Sequence, residues 1–269
     1  MKISDENVND WGLVSIITPS YNSAKFIGAT IESIQAQTYQ NWELIITDDC
    51  STDNSCDVIQ HYAQKDPRIK LLRLPKNSGS GIARNTSIEK ANGRFIAFCD
   101  SDDRWYPNKL EKQLDFLIRN NYELTYSSYD VCDETNNLIS YVICPKKVSH
   151  TSMLRDCGIG CLTGIYDTTN IGKVYFPNLR KRQDWGMWLQ LMRKVKYGYG
   201  INERLALYRL RNNSLSSNKF KLLKYNHLVY KEIEGYPSFI AWGLLFLYFM
   251  PYYFYKKTKQ RIYSHKRIK

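Results

Sequence analysis

The sequence predicts an α/β protein built on a mainly parallel sheet flanked by helices, with a helical C-terminal extension. Three observations carry that reading. Strand-like and helix-like apolar patterns alternate at short intervals over the first 130 residues, which is the signature of repeated βαβ units. Composition is ordinary for a globular chain, 43% hydrophobic and 24% charged, which excludes bulk disorder and a coiled coil. A length of 269 residues suits one large or two small domains.

The elements follow in order. Residues 13–18 (LVSIIT) form an apolar, β-branched run stopped by Pro19, and 26–34 places Phe26, Ile27, Thr30, Ile31 and Ile34 at helical spacing. A second strand, 42–47 (WELIIT), leads through a polar turn into a helix carrying Val58, Ile59 and Tyr62. Residues 69–74 are a third strand, 82–91 a helix opened by Gly79 and Gly81, and 95–99 (FIAFC) a fourth strand. Pro107 then stands where a helix begins, with Leu110, Leu114, Leu117 and Ile118 as its buried stripe. Beyond about residue 120 the alternation blurs: 124–131, 138–144 and 162–166 read as strands and 185–195 as a helix with Trp185, Trp188, Leu189, Met192 and Val195 inward. The expected division is one unit over 1–217, in two halves at 13–120 and 121–217, and an extension over 218–269.

That extension holds twelve uninterrupted apolar residues, 239–250 (FIAWGLLFLYFM), followed by Pro251, Tyr252, Tyr253 and Tyr255. Twelve is short for a ~30 Å hydrocarbon core, which needs about 20, and Trp and Tyr settle at the headgroup level. An interfacial or re-entrant segment is the favoured reading, with a buried helix and a true span as alternatives. The chain's net charge is +12, and seven of those charges fall at Lys256, Lys257, Lys259, Arg261, Lys266, Arg267 and Lys269. A polybasic tail behind an aromatic segment suits an anionic membrane surface. Seven cysteines without a C-x-x-C spacing point to reduced thiols, and residues 1–11 lack the apolar run of a signal peptide. The expected location is the cytoplasm, peripheral on the inner face of the cell membrane.

Ligands of open parallel sheets bind beyond the carboxyl ends of the strands. There the sequence sets Thr18-Pro19-Ser20-Tyr21-Asn22, Asp48-Asp49 and Asp100-Ser101-Asp102-Asp103. Carboxylates gathered on one edge repel unless a cation or hydrogen bonds compensate, and D-x-D-D after a buried strand offers the oxygen ligands a hard divalent ion takes beside substrate phosphates. The implied ligand is a nucleoside diphosphate chelated through Mg²⁺ or Mn²⁺. Asp48 and Asp49 could instead cap a helix, and Asp100 to Asp103 could be an acidic turn. Nucleic acid is the least supported partner, because this edge is acidic.

Taken together, VSIITPSYN (14–22), ELIITDDCSTDNS (43–55), NSGSGIARN (77–85), GRFIAFCDSDD (93–103), QDW (183–185) and YRLRNNSLS (208–216) resemble the family 2 glycosyltransferases, inverting enzymes with the Rossmann-like GT-A fold that use nucleotide-sugars, many of them in bacterial surface-polysaccharide synthesis. The resemblance implies that Thr18, Pro19 and Tyr21 line the nucleobase pocket and that Asp49 accepts from the uracil imide of a UDP-sugar. Arg84 would reach the nucleotide-sugar, Asp100 and Asp102 would form the D-x-D with Asp102 on the metal, and Asp103 would support the sugar side. Asp184 would be the catalytic base, although an Asp directly before an apolar helix is also a common N-cap. Arg209 and Arg211 would sit on a loop closing over the diphosphate. Gln183, Cys50 and Arg211 depart from the family's usual Glu, Gly and His. The resemblance implies a lipid-linked saccharide acceptor, with transfer to a polyprenyl phosphate, or nucleotide-sugar binding without catalysis, as the competing functions.

Overall fold

A computed structural model describes residues 10–211 and 219–265. Residues 1–9, 212–218 and 266–269 lie outside the described residues, and with them most of the N-terminal stretch, residues 212–216 of the last motif, and Lys266, Arg267 and Lys269.

The N-terminal half runs β1 (Val14–Ser20), α1 (Ile27–Gln35), β2 (Trp42–Asp48), α2 (Ser55–Lys65), β3 (Ile69–Arg73), α3 (Ser80–Lys90), β4 (Phe95–Phe98), β5 (Arg104–Trp105) and α4 (Lys109–Arg119). β3, β2, β1 and β4 lie side by side and parallel. Every residue of β1 and β2 is buried, as expected for strands covered on both faces. Alternation sends Ile16, Leu44 and Ile46 to the face under α1, α2 and α4, where they meet Ile27, Ile31, Ile59 and Leu114. Ile17 and Ile45 point to the opposite face and join Ile88 of α3 and a large aromatic core.

The rest comprises β6 (Leu124–Cys132), β7 (Leu138–Val142), β8 (Lys147–Val148), α5 (His150–Arg155), β9 (Ile165–Asp167), α6 (Thr168–Ile171), α7 (Gln183–Met192) and β10 (Gly198–Arg209), then α8 (Lys219–Leu228), α9 (Ser238–Leu244) and α10 (Met250–His265). The sheet continues from β4 through β9, β6 and β10 to β5. β9 is antiparallel to both its neighbours, whereas β6 and β10 are parallel. The sequence pattern did not mark β10, the longest strand. Its register slips between Ile201 and Arg204 and again before Ala206, and Asn202, Glu203 and Arg204 are exposed, so no sustained alternation survives.

α7 docks its Trp188 edge-on against Phe98 of β4, with ring centroids 5.7 Å apart. The extension packs into this same core: Val229, Tyr230, Ala241, Leu245 and Phe249 are buried with Trp185 and Trp188. The helix 185–195 expected from sequence begins two residues earlier and ends at Met192.

Gly164, which leads into β9, lies where an added Cβ would stand 2.4 Å from the Trp188 ring. Gly164→Ala is therefore expected to displace Trp188 and cost about 1–3 kcal/mol, read as a lowered urea midpoint at unchanged slope. An unaltered midpoint would contradict this packing.

Candidate active site

The carboxyl edge opens where β1 and β4 part. Their last paired residues are Ile17 and Phe98, while β1 stays paired with β2 as far as Ser20 and Asp48. Pro19 is tolerated inside a central strand because its missing N–H falls beyond the β4 ladder. Thr18 and Pro19 are buried in the strand, and Tyr21, 46% exposed, is the aromatic ring of this stretch that reaches the surface.

The loops after β1 and β2 are stitched together. The Asn22 amide donates to Ser51 Oγ (2.9 Å) and its side-chain oxygen accepts from Thr52 N–H (2.9 Å). Ser23 N–H donates to Ser55 Oγ at 2.8 Å. Asp48 does not cap α2, whose N-cap is Asn54; it accepts from the Ser51 amide at 2.8 Å and closes the turn. Cys50 holds a left-handed φ of 62°, the conformation for which glycine is preferred. Asp49 is buried and accepts from the amides of Ser78 (2.6 Å) and Gly79 (2.8 Å). Each oxygen keeps a lone pair for a ligand donor.

The D-x-D-D turn is organised by two arginines. Arg84, buried in α3, donates to Asp100 Oδ1 at 2.6 Å, and its guanidinium lies 5.0 Å from the Phe176 ring centroid. Burial works against the Arg84 charge, but the neighbouring Asp100 carboxylate outweighs it and raises the pKa. Arg209 is not on a loop: it ends β10 and is 4% exposed. Its amide donates to Asp103 Oδ1 (2.9 Å), its Nε to the Asp102 carbonyl (2.9 Å) and its Nη1 to the Asp133 carbonyl (3.1 Å). Those bonds make it a clamp on the turn rather than a free phosphate ligand. Arg211 is more exposed, with Nη1 3.6 Å from Asp102 Oδ2. Both guanidiniums lie over Phe26, at 5.0 and 5.2 Å, a role that its place in the α1 apolar stripe hid in the sequence.

Burial and then repulsion from Asp100 push the Asp102 carboxyl up, opposed by Arg211. Asp103 is driven well above the usual carboxylate range by burial and by Asp102 and Asp100. A cation would relieve that repulsion. Among the described residues no group of three or more His, Cys, Asp or Glu converges as a self-contained ion site. Mg²⁺ and similar ions are commonly held by one or two carboxylates plus substrate phosphates, so Asp102, with Asp100 beside it, fits an ion that arrives with a diphosphate.

Asp184 stands in the first turn of α7, whose N-cap is Arg182, and no side chain caps that helix. The capping reading of Asp184 therefore fails. Its carboxylate has no hydrogen-bond or ion-pair partner among the described residues and lines a cavity of about 410 Å³ with Arg84, Asp100, Asp103, Tyr129 and Tyr208. Gln183 faces α3, where Ser80 Oγ donates to its Oε1 at 3.2 Å. Cys157 and Cys161 also line the cavity, but burial raises both thiols well above their ordinary pKa. They stay protonated and are poor nucleophiles. Arg180, Lys181, Arg182 and Lys256 share this cavity, a juxtaposition that no local pattern signals.

A parallel sheet splayed between β1 and β4, with a D-x-D-D turn at the split and an unpartnered Asp184 carboxylate on the wall of the same cavity, has the architecture of a GT-A glycosyltransferase. The chain belongs to glycosyl transferase family 2, whose model matches residues 15–173. It is 44% identical over 223 residues to the putative teichuronic acid biosynthesis glycosyltransferase TuaG of Bacillus subtilis, covering 82% of this chain and 88% of that protein. It is 37% identical over 262 residues to the Escherichia coli UDP-Glc:alpha-D-GlcNAc-diphosphoundecaprenol beta-1,3-glucosyltransferase WfgD, covering 96% and 98%. The fold matches S. aureus TarS 1-349 in complex with UDP-GlcNAc at a TM-score of 0.68 and 21% identity, over 86% of this chain and 70% of that one.

The Arg84–Asp100 pair yields a stability prediction. Arg84→Met strands a carboxylate beside Asp102 and should cost about 3 kcal/mol, the low end for a broken buried pair, since the Asp100 side chain is 32% exposed. Adding Asp100→Asn should recover most of that loss in urea unfolding; equal stability of the single and double variants would dissociate the two groups.

Proposed function

We propose that this enzyme moves a sugar from a UDP-sugar to a hydroxyl of a lipid-linked saccharide, with inversion, in bacterial surface-polysaccharide synthesis. The observation that carries this reading is the unpartnered Asp184 carboxylate on the wall of the cavity that also holds Asp100, Asp103 and Arg84. The acceptor class is supported by WfgD, named for a diphosphoundecaprenol-linked acceptor and matched over nearly the whole chain.

Asp184 removes the proton of the acceptor hydroxyl as its oxygen attacks the anomeric carbon from the face opposite the nucleotide. The bond from that carbon to the UDP oxygen breaks, UDP leaves, and the proton stays on Asp184 until solvent takes it. Tyr21 flanks the base and Asp49 accepts from the uracil imide, while the buried Thr18 and Pro19 shape the pocket through the backbone they fix. A divalent cation, Mn²⁺ or Mg²⁺, bound at Asp102 beside Asp100 would supply positive charge to the leaving diphosphate. Arg211 adds a planar fork of donors, and Asp103, clamped by Arg209, holds the turn.

The C-terminus supports attachment to the cytoplasmic membrane surface. Ser238–Lys256 is long and apolar enough to cross a membrane by length and composition. Its Ala241, Leu245 and Phe249 are nevertheless buried against the catalytic core, and Phe249 packs 5.5 Å from Trp185. Phe239, Phe246, Leu247 and Phe254 face outward, 76%, 55%, 82% and 56% exposed. A helix with one stripe on the protein and a second apolar stripe in solvent fits an anionic lipid interface better than a span.

Asp184→Asn is expected to lower turnover by about 10² to 10⁴ with the donor Kd retained, measured as UDP release with and without acceptor; wild-type turnover would remove Asp184 from the chemistry. Truncation behind Gly235 would uncover Trp185, so membrane attachment is better tested on the outward residues. Phe246→Ser/Leu247→Ser should reduce sedimentation with phosphatidylglycerol vesicles at least fivefold, roughly the loss of two buried apolar side chains discounted for partial insertion, while leaving the unfolding midpoint in place. Undiminished sedimentation would contradict the interfacial role.

A further inference from the structure

We propose that Arg180, Lys181 and Arg182, together with Lys256 of the C-terminal helix, form the site for the diphosphate that joins the acceptor saccharide to its lipid. The proposal rests on the acceptor reading above and adds a location and a chemistry to it.

The active-site cavity is lined by both signs of charge: Asp100, Asp103 and Asp184 share its wall with Arg180, Lys181, Arg182 and Lys256. The donor's diphosphate is already provided for at the D-x-D-D turn by Asp102 and Arg211, which approach each other at 3.6 Å. The second set of cations therefore has no role in donor binding as described. Arg180 is exposed and has no hydrogen-bond or ion-pair partner among the described residues. Arg182 is oriented by donation from Nε to Asn226 Oδ1 at 2.8 Å, which leaves its terminal nitrogens for a ligand. Lys256 is positioned by Asp156, 2.6 Å from its Nζ, and keeps further N–H donors.

Spacing along the chain fits one sugar ring. Arg182 lies two residues before Asp184, so their backbone positions are at most about 7 Å apart. A hydroxyl at the base and a phosphate at the arginine thus belong to the first sugar of a glycosyl diphosphate. Guanidinium forks match phosphate oxygens through paired charge-assisted hydrogen bonds. The lipid has a matching exit: Lys256 closes the segment Ser238–Lys256, whose Phe246, Leu247 and Phe254 are outward. Sugar, diphosphate and hydrocarbon then meet Asp184, the basic set and the apolar helix face in that order.

The test compares two acceptors on the full-length enzyme at saturating UDP-sugar: N-acetylglucosamine joined through an α-diphosphate to a long-chain alcohol, and the same sugar as an alkyl glycoside of equal chain length. The wild-type kcat/KM should favour the diphosphate at least tenfold. In Arg180→Ala/Lys256→Ala that preference should fall about tenfold or more, the loss of one or two charge-assisted contacts, through the acceptor KM and with the donor KM retained. Arg180→Ala alone, at an exposed position with no partner to orphan, should show a smaller loss in the same direction, and Arg180→Lys should restore it. Absence of a wild-type preference, a preference that survives the double variant, or a rise in donor KM in place of acceptor KM would each overturn the site. A wild-type enzyme that binds UDP-sugar yet transfers to neither acceptor would instead overturn the acceptor reading itself.

Discussion

The parting of β1 from β4 beyond Ile17 and Phe98 is the constraint on which the site depends. A parallel ladder left intact to Ser20 would close the sheet edge over the D-x-D-D turn. Because Pro19 cannot donate to that ladder and the chain after Phe98 turns toward β5, the two strands diverge and leave a crevice at the switch of strand order. Such crevices collect ligands because strand ends present backbone groups and short polar loops to one place. Here that place collects carboxylates, and the remainder of the fold supplies their compensation. Arg84 arrives from α3, which packs on β1 and β2, and Arg209 arrives at the end of β10, 106 residues downstream of the Asp103 that it clamps.

Compensation is deliberately uneven. Asp100 has a guanidinium, Asp103 a backbone amide, and Asp49 two amides. Asp102 has a longer contact with the more exposed Arg211, and Asp184 has no partner among the described residues. Close carboxylates left short of donors are the ones to which binding a cation brings a gain. The proposed roles therefore fall on the two acids that meet the fewest donors, Asp102 for the cation and Asp184 for the base.

The N-terminal half was legible because local signals and tertiary structure agree there. Val14, Ile16, Ile17, Leu44, Ile45 and Ile46 form short unbroken apolar runs ended by Pro or Asp, and the intervening helices carry Ile27, Ile31 and Ile34 or Leu110, Leu114 and Leu117 at one period. The same run-and-stop pattern pointed to where Asp48, Asp49 and Asp100 would emerge. Legibility failed where long-range pairing decides the outcome. β10 has glycines at 198 and 200, exposed Glu203 and Arg204, and two register slips, so it is pairing with β6, β5 and β8 that makes it a strand. The reading of Arg209 as a loop residue failed with it. Asp184 was ambiguous for another reason: a cap and a first-turn residue differ by two positions, and the left-handed φ of 63° at Arg182, which starts the helix early, has no local sequence cue.

The C-terminal extension joins these themes, because its inner stripe and its outer stripe answer to different solvents. Ala241, Leu245 and Phe249 are buried in the core that holds Trp185, the residue next to Asp184; Phe249 packs on that indole, and Tyr230 meets it edge-on at 5.6 Å. The Trp185 indole N–H is in turn held by the Met153 carbonyl of α5 at 2.7 Å. The start of α7 is thus fixed from behind by the same helix that presents Phe246, Leu247 and Phe254 to the outside. A span could not keep both contacts, since moving Leu245 and Phe249 into hydrocarbon would uncover the tryptophan. On the proposed reading a helix lying along the membrane keeps them, with Lys256 in the cavity wall, so a change at the inner stripe disturbs the packing behind Asp184 as well as attachment, while a change at the outer stripe disturbs attachment alone.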